Sequence, residues 1–176
     1  EIRCGLGEII KYGALDKNIY DKLLINRDNL FNLDFLGSIV PECIRHKVKV
    51  VTADEHDLNG TRKTLNLGHT TGHALELYYG RKSHGEYVLI GTFYELHIAE
   101  KLNIGDKRYY DNLRQLIKAV VKIPIYDDIE KAAQFAKMDK KNSAEKISLI
   151  VPKCEGESVE ITLDFSEYTR FLKEVQ

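Results

Sequence analysis

Cysteine and proline are scarce in this chain, at three residues each. Cys4, Cys43 and Cys154 are odd in number and far apart, which excludes a CxxC metal knuckle and a secreted disulfide framework. A reducing, cytoplasmic home is the expectation that follows. Internal repeats, low-complexity tracts and dividing linkers are missing, so residues 1–176 are read as one domain. No apolar stretch approaches the roughly 20 residues of a membrane span, and no signal peptide opens the chain. Charge of one sign is also lacking. The 26 Lys and Arg residues stand against 27 Asp and Glu, the net charge is −1, and no run of five like charges occurs. Neither a nucleic acid nor an anionic membrane is expected as partner, although a few cations can still line one pocket. With 43% hydrophobic and 30% charged residues, the chain has the balance of a globular protein. It opens at Glu1, without Met, inside a helix-forming stretch, and the expectation is a domain of something longer.

The apolar period is helical through most of the length, which predicts a mainly α helical bundle with a small β-hairpin. Leu6, Ile9, Ile10 and Gly13 or Ala14 make a first apolar face, and Ile19, Leu23 and Leu24 a second. From Phe35 to about Val51 the period continues across Pro41, where a kink or a helix start is expected. Helices are predicted over 67–79 and 86–103, the second opened by a Ser83–Glu86 capping box. Gly105 then reads as a stop and Asp106 as a new N-cap. Further helices are expected at about 107–120, 128–137 and 166–176. Between the last two the period changes to alternation, at Ile147, Leu149 and Val151 and again at Val159, Ile161 and Leu163, which predicts a hairpin.

Three of the six histidines, His69, His73 and His84, fall close together in sequence. At about 100° per residue, His69, His73 and Glu76 lie within about 60° of one another on one helix face. Two histidines at i,i+4 is a spacing that metals use, because both imidazoles converge on one point. Gly68 and Gly72 directly precede them, and glycine inside a helix costs about 0.5–1 kcal/mol relative to alanine. Close approach of something to the backbone is implied, and tight helix packing would explain it as well as a ligand. Glu86 is accounted for by the capping box. Glu8, three residues before Lys11, reads from spacing alone as a helix-surface ion pair.

Five segments decide between these readings: CGLGEIIKYG at 4–13, KVKVVTADE at 47–55, LNLGHTTGHALE at 65–76, HGEYVLIG at 84–91 and DKKN at 139–142. In order and spacing they resemble the successive signatures of the 3-dehydroquinate synthase family, over nearly the whole chain. The resemblance implies that Glu8, His69 and His84 are ligands of a catalytic divalent metal, zinc or sometimes cobalt, with one coordination position open to substrate. It implies that His73 and Lys11 act at the reacting centre, His73 by assisting proton transfer. Lys47, Arg62, Asn66 and one of Lys140 or Lys141 would hold the carboxylate, hydroxyls and phosphate of the substrate. The family converts 3-deoxy-arabino-heptulosonate 7-phosphate into 3-dehydroquinate and phosphate in the shikimate pathway, with NAD as hydride carrier. The NAD-binding domain of the family, with its glycine-rich turn, is absent from these residues, so the isolated chain is expected to be inactive. A homodimer is expected for the full-length enzyme. Asp57 lies in a loop that carries one residue more than the family pattern and is left unassigned.

Other readings remain at this point. One is another sugar-phosphate cyclase, of the inosose or valiolone synthase type; a second is the helical domain of a metal-dependent polyol dehydrogenase; a third is an interaction domain with structural histidines. The metal reading also carries a geometric demand. By Tyr79 the helix has advanced about 15 Å beyond His69, so residues 80–84 are expected to run back in extended form over some 16 Å, with Gly80 supplying the reversal. His84 more than about 10 Å from His69 would exclude a shared metal.

Overall fold

The computed structural model describes residues 1–55, 60–139, 142–143 and 145–175. In chain order the elements are α1 (Ile2–Leu15), α2 (Lys17–Ile25), α3 (Leu33–Ala53), α4 (His69–Tyr79), α5 (His84–Lys101), α6 (Lys107–Val120), α7 (Ile129–Ala133), β1 (Lys146–Cys154), β2 (Glu157–Asp164) and α8 (Phe165–Lys173). Short 3-10 turns occupy Arg27–Asn29, Thr61–Asn66 and Gln134–Met138. The fold is mainly helical with one antiparallel hairpin, as the two periodicities predict.

Polar residues just ahead of the apolar runs start the helices. The Asp16 carboxylate accepts the N–H groups of Asn18 and Ile19, Asn32 accepts that of Phe35, and Asp106 that of Tyr109. Ser83 and Glu86 form the expected capping box, with the Ser83 N–H donating to Glu86 at 3.0 Å. α5 is the centre of the molecule. Its apolar side chains point all round and are buried, including Tyr87, Leu89, Ile90, Tyr94, Leu96 and Ile98, which marks a helix enclosed by neighbours. α1, α4, α6, α8 and β1 are those neighbours. In the hairpin Ile147 faces Leu163, Leu149 faces Ile161 and Val151 faces Val159. β1 is covered on both sides, so Ile150 is buried with the alternating set.

Several boundaries differ from the sequence reading. α3 runs unbroken through Pro41 from its Asn32 cap, so Pro41 does not start a helix. α5 ends at Lys101, and two residues on it is Asn103 that takes the left-handed conformation (φ 53°) expected of Gly105, while the Ile104 N–H closes the turn onto the Ala99 carbonyl. Gly105 instead allows close packing, because a Cβ there would lie 2.0 Å from the Lys153 carbonyl oxygen. Residues 128–137 divide into α7 and a 3-10 turn. Gly68 lies outside α4, as a left-handed residue with φ 75°.

Candidate metal centre

Glycines set the distances between the helices that carry the site. A Cβ on Gly72 would fall 2.6 Å from the Tyr87 carbonyl oxygen, and one on Gly91 would fall 2.1 Å from that of Gly68. Gly68 itself packs on Val88 and Thr92, so α4 and α5 run antiparallel with their backbones nearly touching. At the other crossing, a Cβ on Gly7 would lie 2.2 Å from the Gly85 carbonyl oxygen, and one on Gly85 would lie 1.9 Å from that of Cys4. Four of these five glycines, all but Gly91, adjoin a candidate site residue in sequence: Gly7 precedes Glu8, Gly68 precedes His69, Gly72 precedes His73 and Gly85 follows His84. Helix packing is therefore what these glycines serve, and the packing in turn brings the four side chains together.

The ring centroids of His69, His73 and His84 are 5.2–5.4 Å apart in all three pairs. One nitrogen from each lies within 4.8 Å of the other two. Glu8 enters from α1, with Oε1 3.7 Å from His69 Nε2. That oxygen is buried and has no hydrogen-bond partner among the described residues. Its other oxygen accepts from Lys11 Nζ at 2.8 Å, and Lys11 also donates to the Leu65 carbonyl at 3.1 Å. The pair is not the surface pair that spacing suggested, since Lys11 is only 3% exposed. Burial raises the Glu8 carboxyl, but Lys11, His69 and His84 outweigh it and hold the group below its ordinary value. Burial lowers Lys11 in the same way, with Glu8 opposing and Lys47 reinforcing the shift.

Among these histidines, His69 is held neutral by its surroundings. His69 is pushed down to about 4, by burial first and by the Lys11 charge second. Its Nδ1 lies 3.0 Å from the Leu67 carbonyl oxygen, so the proton belongs there and the Nε2 lone pair faces Glu8. His84 Nδ1 lies 2.9 Å from Glu76 Oε2, which assigns its Nε2 the same freedom. A metal-ligating histidine commonly gives its second nitrogen to a carboxylate or a carbonyl in this way. The unsatisfied Glu8 oxygen and two imidazoles with outward Nε2 atoms suit a divalent metal of the zinc or cobalt type.

His84 reaches His69 differently from the expected route. It stands opposite Glu76, its hydrogen-bond partner, so the segment after Gly80 returns over a short part of α4 rather than its whole length. Side-chain reach closes the remaining gap. Gly80 does supply the reversal, at φ 57°, and Ser83 is extended.

The remaining assigned residues divide by location. Asn66 lines a cavity of about 340 Å³ with His69, His73, Leu77, Phe135 and Asp139. Lys140 and Lys141, like Asp57, lie outside the described residues. Lys47 is exposed on α3, near enough to Lys11 to lower its affinity for a proton. Arg62 is exposed, with its backbone N–H on the Asp54 carboxylate at 3.1 Å and its guanidinium 3.5 Å from the Glu55 carbonyl oxygen. A larger cavity of about 710 Å³, lined by Leu15, His46, Val50 and the hairpin, contains none of the site histidines. Spacing puts Glu76 on the histidine face, but its bond to His84 is not visible in the sequence. No described helix is long and apolar enough to cross a membrane.

The fold is shared with two solved synthases. 2-Deoxy-scyllo-inosose synthase complexed with carbaglucose-6-phosphate, NAD+ and Co2+ superposes with a TM-score of 0.82 at 21% identity, over 99% of this chain and 51% of that one. The 2-epi-5-epi-valiolone synthase of Streptomyces hygroscopicus subsp. jinggangensis, with NAD+ and Zn2+ bound, gives 0.80 at 16% identity, over 99% of this chain and 51% of that one. Sequence is more particular. The family profile described as 3-dehydroquinate synthase C-terminal matches residues 5–142, and the chain belongs to that family. The 3-dehydroquinate synthase of Alkaliphilus metalliredigens is 35% identical over 98% of this chain and 50% of its own length. That of Clostridium kluyveri is 37% identical over 84% of the chain and 42% of its own length. The chain spans about half the length of the curated relatives it matches.

Proposed function

We propose that this chain is the metal- and substrate-binding half of a 3-dehydroquinate synthase, acting on 3-deoxy-arabino-heptulosonate 7-phosphate in the shikimate pathway. The carrying observation is the buried Glu8 oxygen without a partner, set against His69 beside His84. Glu8, His69 and His84 hold the zinc or cobalt ion. Bound there, the metal supplies Lewis acidity toward a hydroxyl of the substrate. NAD is held mainly by a further domain outside these residues. His73, exposed at the mouth of the site, contacts the substrate and exchanges a proton with it through its ring nitrogen. Lys11, fixed by Glu8 and the Leu65 carbonyl, acts at the reacting centre by offsetting negative charge there. Lys47, Arg62 and Asn66, with Lys140 or Lys141, grip the carboxylate, hydroxyls and phosphate. The full-length protein is cytoplasmic and dimeric in this reading.

The substrate assignment is supported by identity of 35–37% to 3-dehydroquinate synthases, against 16–21% to the inosose and valiolone synthases that share the fold. Phosphate release from the keto-sugar phosphate, with NAD and zinc present, tests it. The chain alone should give none above background, and the full-length protein should turn over and lose that turnover in His69→Ala. Full-length protein that ignores this substrate would overturn the substrate assignment; a His69→Ala variant at the wild-type rate would overturn the site.

A further inference from the structure

Glu95 is a wholly buried acid in the middle of α5, at 0% exposure, and neither the metal nor the substrate reading uses it. A carboxylate persists in such a place only where strong donors meet it. Its Oε2 accepts the Gly68 N–H at 2.6 Å and its Oε1 the Thr71 N–H at 3.4 Å. Thr71 is held as well by the Tyr168 hydroxyl of α8, which donates to Thr71 Oγ1 at 3.2 Å. The Gly68 and Thr71 amides belong to the start of α4, where N–H groups lack helical carbonyl partners and the dipole is positive. The residue at the N-cap position, Gly68, has no side chain with which to satisfy them. It has no room for one, because a Cβ would lie 2.2 Å from Thr92 Oγ1 and 2.5 Å from the Val88 carbonyl oxygen. The cap of α4 is therefore delivered from α5.

His69 lies between the two amides that Glu95 holds, and its ring leans on the carbonyl of Leu67, the residue before Gly68. We propose that Glu95 is a positioning residue of the metal centre: by fixing the turn from Gly68 to Thr71 it sets the direction of His69 Nε2. The inference rests on the reading of His69 as a metal ligand. It also explains why an acid, and not its amide, occupies the position. Two N–H donors converge on the group, and a carboxylate accepts at both oxygens, whereas glutamine must turn an NH2 toward one of the donors.

The test uses Glu95→Gln, which keeps the shape, and Glu95→Ala, each with circular dichroism to establish folding. In the metal-free chain, the ring resonances of His69 should move in Glu95→Gln. In a titration with cobalt(II) alone, that variant should bind roughly 10- to 100-fold more weakly than wild type, with an altered visible spectrum. Unmoved His69 resonances, or wild-type affinity and spectrum in the glutamine variant, would overturn the inference. A wild-type chain that takes up no cobalt would instead overturn the metal reading, and the metal-free resonances would still decide what Glu95 does.

Discussion

Glu8 carries two duties that its neighbours separate by oxygen. Oε2 is committed to Lys11, and Oε1 is left facing His69. Spacing along α1 does reveal the first duty, as an i,i+3 pair, but not the second, because His69 is brought there by a contact between helices distant in sequence. The same limit hid Glu76, whose spacing placed it on the histidine face while its bond to His84 depends on where α5 begins. Removing that bond should loosen the ring that it holds. Glu76→Ala is expected to weaken zinc binding roughly 10- to 100-fold. Both partners are about one-third exposed or more, so the change in folding stability should stay below about 1 kcal/mol. Calorimetric zinc titration beside a denaturant melt checks both halves, and unchanged zinc affinity would return Glu76 to the surface. Arg62 makes the complementary case. Its guanidinium is exposed, so Arg62→Ala should alter stability by no more than about 0.5 kcal/mol. In the full-length protein the same change should raise the Michaelis constant, and unchanged kinetics would remove Arg62 from the substrate site.

Helices and hairpin were legible because their apolar periods of 3.6 and 2 are local properties of the chain. Their ends were less so. Asn103 took the left-handed turn expected of Gly105, and Gly68 proved to precede α4 rather than to lie within it. Both differences arise because glycine meets two needs, positive φ and close backbone approach, that sequence cannot tell apart. At Gly85 the need is approach, and the consequence can be measured. A Cβ there would sit 1.9 Å from the Cys4 carbonyl oxygen, a rigid neighbour that can give only if α1 moves. Gly85→Ala should therefore lower stability by roughly 1–3 kcal/mol through overpacking. Since α1 carries Glu8, the same variant should also lose affinity for zinc. A gain in stability, as expected from helix propensity alone, would show that α1 yields freely and that the crossing does not set the site.

At the scale of the molecule, the proposed ligands come from three helices: Glu8 from α1, His69 from α4 and His84 from the first turn of α5. A metal bound by all three adds a further tie to elements that already meet through apolar packing, glycine contacts and the hydrogen bonds of Glu76 and Glu95, and it can bind so only in the folded state. Mass action then fixes the gain. Free metal at 100 times its dissociation constant stabilises the fold by about 2.7 kcal/mol. For a domain of 150–250 residues each kcal/mol moves the melting temperature by roughly 2–4 °C, so the metal-free chain should melt roughly 5–11 °C lower than the chain with zinc. Glu8→Gln and His69→Ala should each shrink that difference, whatever their own melting temperatures, because each removes a donor rather than a packing contact alone. A chelator should reverse the shift in wild type. The comparison separates a ligand from a structural histidine: a packing role for His69 would lower the melting temperature of His69→Ala equally with and without zinc. Wild-type protein that melts at one temperature in zinc and in chelator would mean that the three side chains meet without holding a metal.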